Sequence, residues 1–136
     1  MYNITIKISN ISSNPLPIYE TKGSSGMDLR ASLKKNIIIF SMERKIVKTG
    51  LFIEIPKKYE AQIRPRSGLA LYHGITVLNN PGTIDSDYRG EIKILLFNLS
   101  KNSFIIKNGD KIAQIIFFKY KKIKWDLKLK IIKKNN

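Results

Sequence analysis

The side chains that could do chemistry concentrate between residues 79 and 92. Asp85 and Asp87 are separated by a single residue, and Tyr88 and Arg89 follow directly. Turn-forming Pro-Gly and Arg-Gly pairs punctuate this segment, which predicts a tight hairpin whose arms begin two strands. A carboxylate held rigidly on such an arm suits a general base. The alternative is an Asx turn, in which Asp85 and Asp87 only hydrogen-bond their own backbone.

A second polar segment, residues 64–70, has the features of a phosphate site. Pro65 ends the strand before it, and Ser67 is predicted to cap a short helix that runs to about Tyr72. Free backbone N–H groups at the start of a helix suit a phosphate, particularly beside Arg66. The alternative is an ordinary helix cap next to a surface arginine. The common phosphate-loop motifs G-x-x-x-x-G-K-[ST] and G-x-G-x-x-G are absent from the sequence.

Two further segments place polar side chains on predicted strands. Asp28 and Arg30 share one face of a strand, because alternate strand residues point the same way. A surface ion pair would explain them equally well. Gln114 lies within the otherwise apolar strand that follows Gly109, so its amide needs hydrogen-bond partners. A bound ligand could supply them, and a backbone neighbour is the commoner source.

The elements that position these segments are predicted to be strands, apart from the one short helix. Apolar and polar residues alternate in segments spaced by roughly 8–12 residues, and about ten short strands indicate an all-β jelly roll or β-sandwich. The other predicted strands are residues 4–8, 47–55 with a bulge at Gly50, 59–64, 74–78, 92–99, 104–106, 112–118 and 123–132. No linker or repeat divides residues 1–136, which predicts a single domain.

Composition excludes several classes of site. The chain has no cysteine, which rules out disulfides, thiol catalysis and cysteine-based zinc sites, and the single histidine, His73, does not suggest a metal centre. No apolar run approaches the ~18 residues of a membrane-spanning helix. The N-terminus also lacks the pattern of a signal peptide. A cytoplasmic protein without a membrane partner is therefore expected.

The net charge of +15 is a property shared with nucleic-acid-binding proteins. Lysine, isoleucine and asparagine are abundant along the whole chain, including positions with no other polar residues nearby. Arginine, the better reader of bases and phosphates, is scarce by comparison. We therefore interpret the excess lysine as solvated surface and expect no specific nucleic-acid partner.

Taken together and in this order, four segments resemble the first four motifs of the trimeric dUTPase family. They are SGMDLRA at residues 25–31, PRSGLA at 65–70, GTIDSDYRG at 82–90 and GDKIAQI at 109–115. One such motif is weak evidence, whereas four in register across nearly the whole chain are specific. The resemblance implies a jelly-roll homotrimer with active sites at its subunit interfaces. It also implies hydrolysis of dUTP to dUMP and pyrophosphate, which supplies dUMP and keeps uracil out of DNA.

The resemblance implies roles for residues of the third motif and the segment before it. Asp85 would deprotonate the water that attacks the α-phosphorus. Asn79 would hydrogen-bond uracil, while the backbone at Thr83 and Ile84 would read the pyrimidine edge. Tyr88 would pack against the deoxyribose and reject a 2′-hydroxyl.

The other motifs would bind the triphosphate. By resemblance, Arg66, Ser67 and Gly68 would contact the phosphates from a neighbouring subunit, and Gln114 would join them. Asp28 would hold the phosphate-side arginine or the water shell in place. The implied cofactor is Mg²⁺, without direct protein ligands, because this ion commonly keeps waters and takes its remaining ligands from substrate phosphates.

One feature departs from the family pattern. Family members usually end in a glycine-rich arm that closes over a neighbour's site, whereas no glycine follows Gly109 in this sequence. The expectation is full binding architecture with weaker catalysis, since closure excludes water. A dUTP-binding or regulatory relic without turnover is one alternative. A relative of dCTP deaminase, which shares the fold, is another, although the segment TIDSDYR fits dUTPase better.

Overall fold

A computed structural model describes residues 4–131 of the chain. These residues form eleven β-strands and one α-helix, so the prediction of a mostly β fold with one short helix is confirmed. In chain order the elements are β1 (Lys7–Asn10), β2 (Gly26–Arg30), β3 (Ile37–Ile39), β4 (Arg44–Lys48), β5 (Leu51–Glu54), β6 (Tyr59–Arg64), α1 (Ser67–His73), β7 (Ile75–Val77), β8 (Gly82–Ile84), β9 (Lys93–Asn98), β10 (Phe104–Ile106) and β11 (Lys111–Lys119).

The strands pair into antiparallel sheets that bring distant segments of the sequence together. The largest sheet has the order β2–β11–β6–β8, and a second has the order β4–β9–β7. Strands β1 and β5 form a pair, as do β3 and β10. In the largest sheet, Gln114 of β11 lies opposite Asp28 of β2 and Arg64 of β6. This register brings the first and fourth motifs together, next to the residue that precedes the second motif.

The core is built by the alternation of side chains along the strands. In β9, Ile94, Leu96 and Asn98 are at most 1% exposed, whereas Lys93 lies on the exposed side. Removal of such apolar area from water is the main favourable term in folding. The same pattern recurs on the neighbouring strands, and the other fully buried apolar side chains include Leu29, Ile39, Val47, Ile75, Ile92, Ile106 and Ile112.

The prediction of one bulged strand over residues 47–55 is wrong. Strand β4 ends at Lys48 and pairs with β9, whereas β5 begins at Leu51 and pairs with β1. Gly50 lies between them with a φ of 71°, a left-handed conformation that glycine adopts without strain. The chain therefore changes sheets at Gly50 instead of bulging.

The prediction of a last strand over residues 123–132 is also wrong as far as residue 131, and residue 132 lies outside the described residues. Ile123, Trp125, Leu127 and Leu129 are 68–103% exposed, so their alternation with polar residues finds no neighbouring strand within this chain. At the other end, β1 is displaced from the predicted residues 4–8 to Lys7–Asn10.

The helix forms where it was predicted, but it is not capped as predicted. Arg66 occupies the N-cap position, and no side chain makes a capping hydrogen bond, so the assignment of Ser67 as the cap is wrong. Gly74 ends the helix in a left-handed conformation with a φ of 65°, and its N–H donates to the carbonyl of Ala70. Ser67 is thus an exposed first residue of the helix.

Candidate active site

The segment from residue 79 to residue 92 crosses between the two larger sheets. Strand β8 pairs with β6, whereas β9 pairs with β7 and β4, so the predicted tight hairpin between β8 and β9 is wrong. The Leu78 N–H donates to the Leu95 carbonyl at 2.9 Å just before the chain leaves one sheet for the other. A cavity lies beside this crossing.

This cavity has a volume of about 190 Å³ and brings together the predicted residues of the third motif. Its lining includes Asn79, Thr83, Ile84, Asp85 and Tyr88. Apolar side chains of the neighbouring strands complete the wall, namely Ile63, Val77, Ile92, Ile94 and Leu95. A cavity that combines an apolar wall with a few polar groups is typical of a small-molecule site.

Asp85 lines this cavity, and its carboxylate is free. The side chain is exposed, and neither its oxygens nor those of Asp87 accept a hydrogen bond from any residue between 4 and 131. The turn is closed instead through the backbone, because the Tyr88 N–H donates to the Asp85 carbonyl at 3.1 Å. The Asx-turn interpretation is therefore wrong, and the Asp85 carboxylate is available to a water molecule or a ligand.

Tyr88 is held at the edge of the cavity by its hydroxyl, which donates to the Glu91 carbonyl at 2.7 Å. The Glu91 carboxylate, in turn, accepts a hydrogen bond from the Gly50 N–H at 2.9 Å. Arg89 braces the same turn, because its Nη1 donates to the carbonyls of Ser86 and Tyr88. The sequence pattern contained Arg89 and Glu91 but gave no indication of these structural roles.

Residues of the first, second and fourth motifs form a separate charged group on β2, β11 and at the start of α1. Arg66 Nε donates to Asp28 Oδ1 at 3.0 Å, which is the contact expected of a residue that supports the arginine. Lys111 Nζ lies 3.6 Å from Asp28 Oδ2 and also 3.6 Å from Glu20 Oε1. Sequence reasoning missed Lys111, although the residue is part of the fourth motif.

Gln114 and Gly68 frame this charged group. Gln114 Nε2 donates to the Pro65 carbonyl at 3.1 Å, so a backbone neighbour satisfies part of its amide and fixes the residue before Arg66. Around Gly68 the surface is open, since a Cβ added there would meet no heavy atom within 4 Å. The cavity described above is not lined by any of the predicted phosphate-side residues, namely Asp28, Arg66, Ser67, Gly68 and Gln114. A single chain therefore displays the predicted residues as two separate groups.

Comparison with known families decides the identity. The family model described as dUTPase matches residues 12–136. The chain belongs to the dUTPase family. It is 58% identical over 115 residues to the deoxyuridine 5′-triphosphate nucleotidohydrolase of Cytophaga hutchinsonii, a match that covers 85% of this chain and 75% of that protein. The enzyme of the same name from Finegoldia magna is 56% identical over 120 residues, covering 88% and 84% of the two chains.

Solved dUTPase structures share the fold. A mutant dUTPase of phage phi11 of Staphylococcus aureus superposes with a TM-score of 0.84 at 19% identity, covering 94% of this chain and 99% of that one. That structure reveals the coordination of a structural Mg(II) ion. A mutant dUTPase of Staphylococcus bacteriophage 80alpha, solved with dUpNHpp, gives a TM-score of 0.83 at 18% identity, covering 95% and 99%.

Family membership confirms the predictions that the chain resembles dUTPases and is an enzyme of nucleotide metabolism. In this dUTPase, no group of three or more Asp, Glu or His side chains among residues 4–131 is arranged to hold a metal ion. No helix in the same residues is long and apolar enough to cross a membrane.

Proposed function

We propose that this protein hydrolyses dUTP to dUMP and pyrophosphate, and so supplies dUMP and keeps uracil out of DNA. The observation that carries the proposal is that Asp85, an exposed residue, lines a cavity of about 190 Å³ and that its carboxylate has no hydrogen-bond partner among the described residues. Without internal hydrogen bonds, both oxygens of the Asp85 carboxylate keep their lone pairs available to accept a proton from water.

Asp85 acts as the general base. Its carboxylate accepts a proton from a water molecule as the water oxygen forms a bond to the α-phosphorus of dUTP. The bond between the α-phosphorus and the oxygen that bridges to the β-phosphorus breaks, and pyrophosphate leaves with the bonding electrons. The proton on Asp85 is then released to solvent, which restores the carboxylate.

The cavity reads the base and the sugar. The Asn79 amide hydrogen-bonds uracil, together with backbone groups at Thr83 and Ile84. Gly82 supports this arrangement, because a Cβ there would lie 3.2 Å from Asn79 Nδ2 and crowd the amide. Tyr88 packs against the deoxyribose and excludes a 2′-hydroxyl.

The triphosphate is bound by Arg66, Ser67, Gly68 and Gln114 of a neighbouring subunit, in a jelly-roll homotrimer. The separation of these residues from the cavity supports this arrangement, since one chain alone does not line a single site with all of them. Asp28 engages the Nε edge of Arg66, and no further hydrogen bond ties the guanidinium to described residues. The remaining N–H groups of the Arg66 guanidinium are therefore available to a phosphate.

The side chains present fit Mg²⁺ bound through the substrate. Residues 4–131 offer no carboxylate cage, and this ion commonly takes phosphate oxygens and waters as ligands. When bound, Mg²⁺ would neutralise charge on the triphosphate. Asp28 and Gln114, which lie beside Arg66, are the side chains that would hydrogen-bond the waters of the bound ion.

The test measures pyrophosphate release from dUTP with Mg²⁺ by the full chain and two matched variants. We expect Asp85→Asn to lower kcat by about 10²–10⁴-fold, because the amide cannot accept the proton. Asp87→Asn removes a second exposed carboxylate of the same turn and should leave kcat near the wild-type value.

Equal rates for Asp85→Asn and the wild type would contradict the proposal. Tight dUTP binding without pyrophosphate release would instead indicate a binding or regulatory protein. Release of ammonia from dCTP would indicate a deaminase. Thermal melting of both variants verifies that neither substitution acts through unfolding, which is expected because both side chains are exposed.

A further inference from the structure

The ring of Tyr88 lies over Gly90. A Cβ added to Gly90 would be 2.5 Å from Tyr88 Oη, 2.7 Å from Cζ and 3.1 Å from Cε1, distances at which the ring would have to move. All of the nearest atoms belong to Tyr88. The backbone does not require glycine at this position, because the glycines with left-handed φ among the described residues are Gly50, Gly74 and Gly109. A side chain at residue 90 would therefore occupy the space that the Tyr88 ring now fills.

The same end of the ring, which carries the hydroxyl, is also hydrogen-bonded to a fixed point of the backbone. The Tyr88 hydroxyl donates to the Glu91 carbonyl at 2.7 Å, and Glu91 Oε2 accepts from the Gly50 N–H at 2.9 Å. The next residue, Ile92, donates its N–H to the Leu51 carbonyl at 2.8 Å and is 2% exposed. The anchor for the hydroxyl is thus tied to the start of β5 and to the core.

We propose that Gly90 is a specificity-determining positioning residue, which seats Tyr88 so that its ring excludes a ribonucleotide sugar. The inference rests on the proposed function, in which Tyr88 packs against the deoxyribose. A steric wall discriminates only while it is held within about 0.5 Å of its productive place. Contact with Gly90 and the hydrogen bond to the Glu91 carbonyl together fix the position of the Tyr88 ring.

A methyl group at residue 90 displaces the Tyr88 ring without disrupting the fold. Tyr88 is 42% exposed, so its side chain can swing toward solvent at little cost to the core. The cavity would then have room for a 2′-hydroxyl. Gly90 contacts no reacting atom, and it acts on specificity only through Tyr88.

The experiment compares kcat/KM for dUTP with kcat/KM for UTP in the full chain. For Gly90→Ala we expect the preference for dUTP over UTP to fall by at least about tenfold, the size of discrimination typically lost when one steric contact in a pocket changes. The matched control is Gly23→Ala, because a Cβ at Gly23 meets no heavy atom within 4 Å. That control should keep the wild-type preference and melting temperature.

A double variant separates positioning from a general structural effect. If Gly90 acts through Tyr88, the Gly90→Ala substitution should not lower the preference further in a Tyr88→Ala chain, so the two losses are not additive. Additive losses, an unchanged preference in Gly90→Ala or a Gly90→Ala chain that does not fold would overturn the inference alone. A wild-type chain that does not hydrolyse dUTP would overturn the proposed function as well.

Discussion

Asp28 uses both of its carboxylate oxygens to organise cations. Oδ1 accepts from Arg66 Nε at 3.0 Å, while Oδ2 lies 3.6 Å from Lys111 Nζ, and the Asp28 side chain is only 22% exposed. Lys111 is itself shared with Glu20. The charges therefore alternate from Glu20 through Lys111 and Asp28 to Arg66, an arrangement that fixes one edge of the Arg66 guanidinium and leaves the rest for an anion.

Replacement of Asp28 by Asn should weaken phosphate binding more than it weakens the fold. The amide is neutral, so it no longer attracts Arg66 and Lys111. We expect kcat/KM for dUTP to fall about 10- to 100-fold, as for other residues that hold a ligand-binding group in place. Unfolding by denaturant should change by about 1 kcal/mol or less, because all three partners are partly exposed.

The control for Asp28→Asn is Glu43→Gln. Glu43 pairs with Lys45 at 3.5 Å and lies outside both groups of site residues. An equal loss of kcat/KM in the two variants would show that the effect is one of overall charge. No loss in Asp28→Asn would show that Arg66 needs no support.

Residue types singled out Asp85, and the resemblance to the dUTPase family added Asn79, Thr83, Ile84 and Tyr88; all five line the cavity. Asp85, Asn79 and Tyr88 lie within ten residues of one another, so a short turn necessarily brings them close. The Asp28–Lys111 contact could not be predicted in this way, because it depends on the pairing of β2 with β11. The contact between Gly90 and the Tyr88 ring could not be predicted either, because it depends on the side-chain rotamer of Tyr88.

At the scale of elements, the end of β9 is fastened by one buried amide. Asn98 is 0% exposed, and its Nδ2 donates to the carbonyls of Ile39 and Asn102, both at 2.8 Å. Its Oδ1 accepts from the N–H and the hydroxyl of Ser100. The side chain thereby ties β9 to β3 and shapes the loop that leads to β10.

Asn98→Ala should destabilise the fold by about 1–3 kcal/mol, because buried hydrogen-bonding groups lose their partner and regain no water. Denaturant unfolding followed by circular dichroism measures the change. Asn102→Ala is the matched control, since that side chain is exposed and makes no hydrogen bond to a described residue. Similar unfolding free energies for the two variants would contradict this account of Asn98.

The period-two pattern predicted five strands, β6, β7, β9, β10 and β11, to within one residue at each end, and β6 and β10 with the observed bounds. It failed where the identity of the neighbouring strand matters. Alternation continues through Gly50 although the chain changes sheets there, and it continues along residues 123–131 although no strand forms. The pairing of β8 with β6 was missed because local periodicity does not determine which strands pair.

In the whole molecule, the site residues are divided between two places. The cavity with Asp85 belongs to the crossing between two sheets, whereas Arg66 and its partners lie at the junction of β2, β11 and α1. Hydrolysis of a nucleoside triphosphate requires the general base and the phosphate-binding groups around one substrate. Assembly of several chains satisfies this requirement if each site combines the cavity of one subunit with the charged group of another.

Subunit complementation tests this division. Asp85→Asn and Arg66→Ala chains should each be nearly inactive alone. When they are co-expressed in equal amounts and assemble at random, a shared site should restore roughly a quarter of the wild-type activity, because one neighbour pair in four joins an intact cavity to an intact Arg66. If each site were built within one chain, co-expression would restore nothing.

The reciprocal mixture makes the test independent of absolute rates. Wild-type chains co-expressed with the double variant Asp85→Asn, Arg66→Ala should also show roughly a quarter of full activity if sites are shared, and roughly half if each chain has its own. Differently tagged chains allow the mixed oligomers to be purified and their composition verified by mass spectrometry. Agreement of the two mixtures at about a quarter requires that Asp85 and Arg66 come from different subunits. A pair of values near zero and one half would instead place both in the same chain, and the charged group would then have to reach the cavity by a rearrangement of α1.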